Sequence, residues 1–132
     1  MFTLQISPVY ILLNILLILV LAYRVIILRR RFRIGLGDGN KKELRMAIAS
    51  HANATENVPM LLLIMLVVEL NGGHAGVLHT GGIILTLSRI WHALGTSRYA
   101  GASRGRYYGT VISWLFAGSM GVYAVYLSLI QS

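Results

Sequence analysis

The sequence predicts an all-α integral membrane protein, a single domain over residues 1–132 built as a bundle of four transmembrane helices. Three observations carry this reading. Fifty-six per cent of the 132 residues are hydrophobic and only twelve per cent are charged, a balance far from that of a soluble domain. The charges are also segregated. The first 23 residues and the 26 that follow Arg106 carry none, and between Met46 and Ser88 only Glu56 and Glu69 are charged. Finally, the chain holds four mostly apolar stretches of the ~20 residues that a ~30 Å hydrocarbon core requires. In lipid each backbone polar group must be paired within its own segment, so such stretches should be helices.

Helix 1 is expected over residues 8–28, with Ser7 as cap and Pro8 in the first turn. It lacks the basic stretch that precedes the apolar core of a secretory signal, so it reads as a retained helix. A basic run (Arg29, Arg30, Arg31, Arg33) and a turn at Gly37-Asp38-Gly39 follow. Helix 2 is expected over residues 41–70, about 45 Å at 1.5 Å per residue. That exceeds the hydrocarbon thickness, so its first turns should stand in the cytoplasm. Asn71-Gly72-Gly73 ends it. Helix 3 is expected over residues 75–94, stopping at Gly95, and a polar loop over 96–105 leads to helix 4 over 106–130. Gly81, Gly82, Ala117, Gly118 and Gly121 are candidate helix contacts, because close backbone approach replaces the hydrophobic drive inside lipid.

The net charge of +8 and the isoelectric point near 10.5 do not imply nucleic acid. Membrane proteins gather Lys and Arg in cytoplasmic loops for topological reasons. Loop 1 and its flanks hold Arg29, Arg30, Arg31, Arg33, Lys41, Lys42 and Arg45; loop 3 holds Arg98, Arg104 and Arg106; the opposite side holds no cation. Ten against zero predicts loops 1 and 3 in the cytoplasm and both termini outside. The absence of cysteine excludes disulfides, thiolate nucleophiles and Cys-bound metals. No His/Glu set falls at a recognisable ligand spacing, so no metal site is expected.

Ionisable residues within spans are costly and usually face a cavity, a partner or a substrate. Arg24, Glu56 and Arg89 fall in three helices, each within ~6–9 Å of the cytoplasmic edge. Asn53 and Glu56 share a face of helix 2, as Arg89 and His92 share one of helix 3. Pro59 should free the Thr55 carbonyl and bend helix 2 there. Alternatives stand beside the site reading. Arg24 can snorkel to the interface, and Glu56 and Arg89 can neutralise one another as a buried pair. His51 reads as interfacial, His74 and His79 have no assigned role, and the seven tyrosines and two tryptophans can form interface belts.

The run Ala49-Ser50-His51-Ala52-Asn53-Ala54-Thr55-Glu56-Asn57-Val58-Pro59 resembles the helix 2 signature of the MAPEG family, the membrane-associated proteins of eicosanoid and glutathione metabolism. Arg89-Ile90-Trp91-His92-Ala93-Leu94-Gly95 is similar to the family's Arg-x-x-His stretch in helix 3, and residues 104–110 match where an arginine opens helix 4. With Gly37-Asp38-Gly39 and Glu69-Leu70-Asn71-Gly72 the likeness covers nearly the whole chain. It is closest to the short bacterial members, which implies a multi-pass protein of the bacterial inner membrane.

The resemblance implies a homotrimer with three glutathione sites at subunit interfaces, open to the cytoplasm and to a hydrophobic substrate arriving from the membrane lipids. By position, Asn53, Glu56 and His92 would hold glutathione, with Arg29 and Tyr107 as further residues of the glutathione site. Arg104 would stabilise its thiolate, with Arg106 as the alternative. Arg24, Arg89 and His51 would be structural or supporting, Arg89 bracing Glu56 or the helix 3 end. Three positions depart from the pattern. Ala52 stands where eukaryotic members have an arginine, Ile27 where an arginine is expected late in helix 1, and Thr96 where some members have a tyrosine, so Tyr107 or Tyr108 would supply that hydroxyl.

The implied activity is that of a glutathione-dependent membrane transferase or peroxidase acting on hydrophobic electrophiles or lipid hydroperoxides. Chemically the set is suitable, because a guanidinium beside sulfur favours the charged form and lowers the thiol pKa. Two other classes stay open: a small multidrug or metabolite transporter, proton-coupled through Glu56, and a non-catalytic trimer that binds lipid or protein.

Overall fold

The computed structural model describes residues 4–98 and 101–131 and contains four α-helices: α1 (Ser7–Phe32), α2 (Lys42–Leu70), α3 (Ala75–Arg98) and α4 (Arg104–Gln131). By length and composition, α1, α2 and α4 are long and apolar enough to cross a membrane. Helix α3 has the length, about 36 Å for its 24 residues, but is more polar, and it turns Thr86, Ser88, Arg89, His92 and Thr96 inward. Among the described residues α2 and α3 each touch all three other helices, whereas α1 and α4 do not touch each other. The α2–α3 pair is therefore the centre of the bundle. Many large side chains of α1 and α4, such as Leu12, Leu19, Val20, Trp114, Val122 and Leu129, stay exposed, as lipid requires and water would punish.

The core divides into two unlike halves. Toward the termini it is large and apolar, with Tyr10, Leu61, Leu62, Met65, Leu78, Leu85, Phe116 and Met120 in one cluster. Toward the basic loops it thins to two small groups, Leu21 with Ala54 and Ala93, and Leu28 with Leu44 and Ala47. Polar side chains fill the remainder at that end. Two polar contacts bind α1 to α3 in the apolar half. The fully buried Asn14 amide donates to the Tyr10 carbonyl (2.9 Å) and to Thr86 Oγ1 (3.0 Å), and the Tyr10 hydroxyl meets His79 at 3.0–3.1 Å.

Several helix ends differ from expectation. Ser7 does not cap α1: Ile6 is the N-cap and makes no side-chain cap bond. The Glu69 carboxylate does that work from the far end of α2, accepting the backbone amides of Gln5 (2.8 Å), Ile6 (2.7 Å) and Ser7 (2.7 Å). An anion at a helix N-terminus satisfies its free N–H groups and complements its dipole. Helix α1 runs four residues past the expected 28, through arginines that are good helix formers, and closes on Arg33 in the left-handed region. Helix α2 passes unbroken through Pro59. Helix α3 does not stop at Gly95 but continues to Arg98. Helix α4 begins two residues early because Ser103 Oγ accepts the Arg106 amide at 3.2 Å and caps it. Residues 99 and 100 of the expected loop lie outside the described residues. In loop 1 the Arg45 guanidinium, with the Asn40 amide, holds the Asp38 carboxyl below its ordinary pKa range.

Glu69→Ala should therefore destabilise the protein by about 1–2 kcal/mol, the usual scale for a lost N-cap. Glu43→Ala, which breaks only an exposed 3.8 Å pair with Arg31, should leave stability nearly unchanged. Thermal unfolding of both variants in detergent checks this.

Candidate functional site

The half of the bundle nearest the basic loops is organised around Arg89. Its guanidinium leaves α3 between α2 and α4 and is only 3 % exposed. One terminal nitrogen donates to Asn53 Oδ1 at 2.5 Å, the other reaches Ser113 Oγ at 3.5 Å, and Ser113 in turn donates to the Gly109 carbonyl at 2.7 Å. Among the described residues no carboxylate pairs with it; the ion pairs are Arg31–Glu43 and Arg45–Asp38. The Glu56–Arg89 pair that stood as an alternative to the site reading is thus absent among the described residues. Successive helical residues turn by 100°, so Glu56 lies about 60° around α2 from Asn53, and it is exposed beside Thr55 and Pro59.

A second polar layer lies beside Arg89. Arg24 does not simply snorkel: it donates to the Ser97 carbonyl at 3.1 Å, in the last turn of α3. The Ser97 hydroxyl reaches Ser50 Oγ at 3.3 Å, and Ser50 donates to the Ala93 carbonyl at 3.3 Å. Three helices are so joined by hydroxyls and one guanidinium. His92 is 2 % exposed, with Thr96 Oγ1 at 3.5 Å from its Nδ1 and donating to its carbonyl at 3.0 Å. His51 is half-buried, its carbonyl accepting from Thr55 Oγ1 at 3.1 Å.

Helices α3 and α4 approach backbone to backbone here. A Cβ built on Gly105 would lie 2.6 Å from the Trp91 carbonyl, one on Gly109 2.8 Å from that of Ser88, and one on Gly95 2.8 Å from the Arg106 amide nitrogen. Gly95 therefore serves close packing rather than helix termination. Gly81 and Gly82 also pack closely, under Met120 and the Tyr10 ring, whereas a Cβ built on Gly118 or Gly121 would face open space. With the backbones this close, the aromatic side chains between them are displaced outward. Trp91 stacks on Tyr108 (5.7 Å between centroids, 15° between planes), and Tyr107 meets Tyr108 edge-on at 5.3 Å.

A cleft opens at each end of this aromatic shelf. One, of about 520 Å³, is lined by Trp91, Leu94, Arg98, Ser103 and Arg104. The other, of about 390 Å³, is lined by Ser103, Arg106, Tyr107, Thr110 and Trp114. Residues two apart on a helix point about 200° apart, so Arg104 and Arg106 serve different clefts. Arg29 lies elsewhere, its guanidinium donating to the Gly35 and Gly37 carbonyls at 3.2 and 2.9 Å and closing loop 1. Within the chain the sequence-selected residues are therefore divided. Arg104, Arg106 and Tyr107 line the clefts, Asn53 and Arg89 bond each other and line neither, His92 is enclosed, and Glu56 is exposed on α2. Trp91 and Arg98 belong to the site region without having been singled out, and Tyr108, named only as a source of a hydroxyl, enters it through its ring. Arg98 had counted only toward topology, and the facing of the two rings depends on the glycines opposite.

The family model described as MAPEG family matches residues 7–126. "Inner membrane protein YecN" of Escherichia coli (strain K12) is 37% identical over 91 residues, covering 69% of this chain and 70% of that protein. The protein of the same name from Escherichia coli O6:H1 matches to the same extent.

The Arg89 geometry makes a testable statement. Asn53→Leu strips a buried guanidinium of its shortest bond and should lower stability by about 2 kcal/mol. Adding Arg89→Leu removes the stranded cation and should restore part of that loss. Denaturation of the two variants and wild type in the same detergent measures the difference.

Proposed function

Because the chain belongs to the MAPEG family, we propose that it is a glutathione-dependent membrane transferase or peroxidase for hydrophobic electrophiles or lipid hydroperoxides. It works as a homotrimer in the bacterial inner membrane, with the basic loops in the cytoplasm. The observation that carries the reading is the placement of Arg104. It opens into a cleft walled by Trp91, Leu94, Arg98 and Ser103 and forms no ion pair among the described residues.

Glutathione has two carboxylates, an ammonium group, amides and a thiol, so it calls for cations together with at least one acceptor. The cleft residues fit the first requirement, with Arg98 and Arg104 beside the Ser103 hydroxyl. They supply no carboxylate. Glu56 is the acceptor in reserve, but it lies on α2 and lines none of the clefts. That division supports a site completed by a second subunit, in which the outward Glu56 of one copy meets the Arg104 cleft of another. An outward carboxylate within the span would itself be stabilised by such pairing.

When bound, glutathione supplies the sulfur nucleophile. The chain's own groups do the rest. The Arg104 guanidinium favours the charged sulfur. Arg98 and Glu56 orient the zwitterionic ends, the Trp91–Tyr108 shelf offers an apolar surface to the second substrate, and Arg89 fixes the Asn53 side of α2. His92 is enclosed beside Thr96 and lines neither cleft.

Titrating glutathione into the detergent-solubilised protein at neutral pH, with thiolate absorbance as readout, tests the proposal. Wild type should show saturable thiolate formation. Arg104→Ala should reduce it by roughly tenfold or more, the consequence of removing a neighbouring cation, with the trimer intact. Arg106→Ala should retain it, and Glu56→Gln should weaken binding. Normal ionisation in Arg104→Ala would overturn the assignment of Arg104. No signal in wild type at cellular glutathione levels would overturn the activity.

A further inference from the structure

A third opening lies away from the aromatic shelf, between α1 and α3. It has a volume of about 300 Å³ and is walled by Leu17, Val20 and Leu21 on one side and by Ile90, Ala93 and Leu94 on the other. Arg24 and Arg98 stand at its basic end. From Leu17 to Arg24 the wall rises about 10 Å along α1, so an apolar trough runs into the span from a pair of guanidiniums near its edge. Ala93, the smallest wall residue, leaves the space between the two rows of larger side chains.

The charge at this mouth is not balanced from within the chain. The protein has four acidic residues against twelve Lys and Arg. Asp38 and Glu43 pair with Arg45 and Arg31 in and beside loop 1, Glu69 caps α1 at the opposite end, and Glu56 is on α2. None lines the trough. Arg24 spends one donor on the Ser97 carbonyl, and a guanidinium has five. Arg98 is exposed.

We infer that this trough is a binding site for one anionic phospholipid, with its phosphate held between Arg24 and Arg98 and the first part of an acyl chain laid along Leu17, Val20, Ile90 and Leu94. Basic pockets between membrane helices hold anionic headgroups through the same combination of charge and apolar wall. Free phosphate would use the arginines alone; the apolar walls select a lipid. Leu94 and Arg98 also line the Arg104 cleft, so the bound lipid borders that cleft and competes for Arg98.

Trp91 is the natural reporter, since it follows Ile90 and shares a cleft with Leu94 and Arg98; Trp114→Phe removes the other indole. The protein is reconstituted in phosphatidylcholine vesicles containing dibrominated phosphatidylglycerol or dibrominated phosphatidylcholine. The anionic quencher should act at roughly tenfold lower mole fraction, as two cations near the surface allow. Arg24→Gln/Arg98→Gln should abolish the preference, Arg24→Lys/Arg98→Lys should keep much of it, and Arg30→Gln/Arg33→Gln, where α1 passes into loop 1, should leave it intact. If the double glutamine variant does not fold, Arg98→Gln alone should still weaken the preference severalfold. Equal quenching by the two lipids, a preference that survives loss of both arginines, or one lost with the loop 1 cations would each overturn the proposal. Relief of quenching by millimolar inorganic phosphate would mean a simple anion site and would overturn it too.

Discussion

A guanidinium enclosed in a helix bundle that itself lies in lipid cannot be left without acceptors, and much of this structure follows from giving Arg89 its partners. The side chain is reached from α2 by Asn53 and from α4 by Ser113, so three helices are fixed relative to one another at one level. For Ser113 to come within reach, α4 must lie close against α3. That closeness requires the absence of side chains at Gly105 and Gly109. The displaced aromatic rings then form the shelf, and the clefts form at its two ends. One buried cation, held at its two terminal nitrogens by neutral partners while its Nε has none among the described residues, thereby helps to set the shape of the candidate site.

The two halves of the bundle divide the labour. The half nearer the termini holds the large apolar cluster and the Glu69 clamp on α1, features that hold the helices together and offer little chemistry. Near the basic loops the packing is thin, polar and glycine-rich, and the hydroxyl chain through Ser97 and Ser50 replaces hydrophobic contact. Small residues and hydrogen bonds are a sound way to associate helices where lipid is as apolar as leucine. They also leave space at the surface, which large side chains would have filled.

Much of the fold was legible because it follows from the solvent. Uncharged runs of bilayer length specify helices, so the four elements were placed to within a few residues. What local sequence did not show was long-range. Ser7 is a good cap by type, but Glu69 arrives from 62 residues away and takes the N-terminal amides. Gly95 is a good helix stop by type, but its absent side chain serves the approach of α4. Gly118 and Gly121 look like contact glycines and face open space. At the site, the shared depth of Arg24, Glu56 and Arg89 was readable from spacing. Their directions were not, because they depend on how each helix is rotated about its axis. That rotation sends Arg89 to Asn53, Arg24 to Ser97 and Glu56 outward.

The central claim is that the residues divided within one subunit are reunited between subunits, Glu56 of one copy facing Arg104 of the next. The chain has no cysteine, so pairs can be introduced without background. The decisive measurement is cross-linking of the Glu56→Cys/Arg104→Cys variant in membranes with a short bismaleimide, read on a denaturing gel. The account predicts a ladder that ends at a covalent trimer, and neither single-cysteine variant should yield that trimer. A product linked only within one chain, with no higher band, would contradict it.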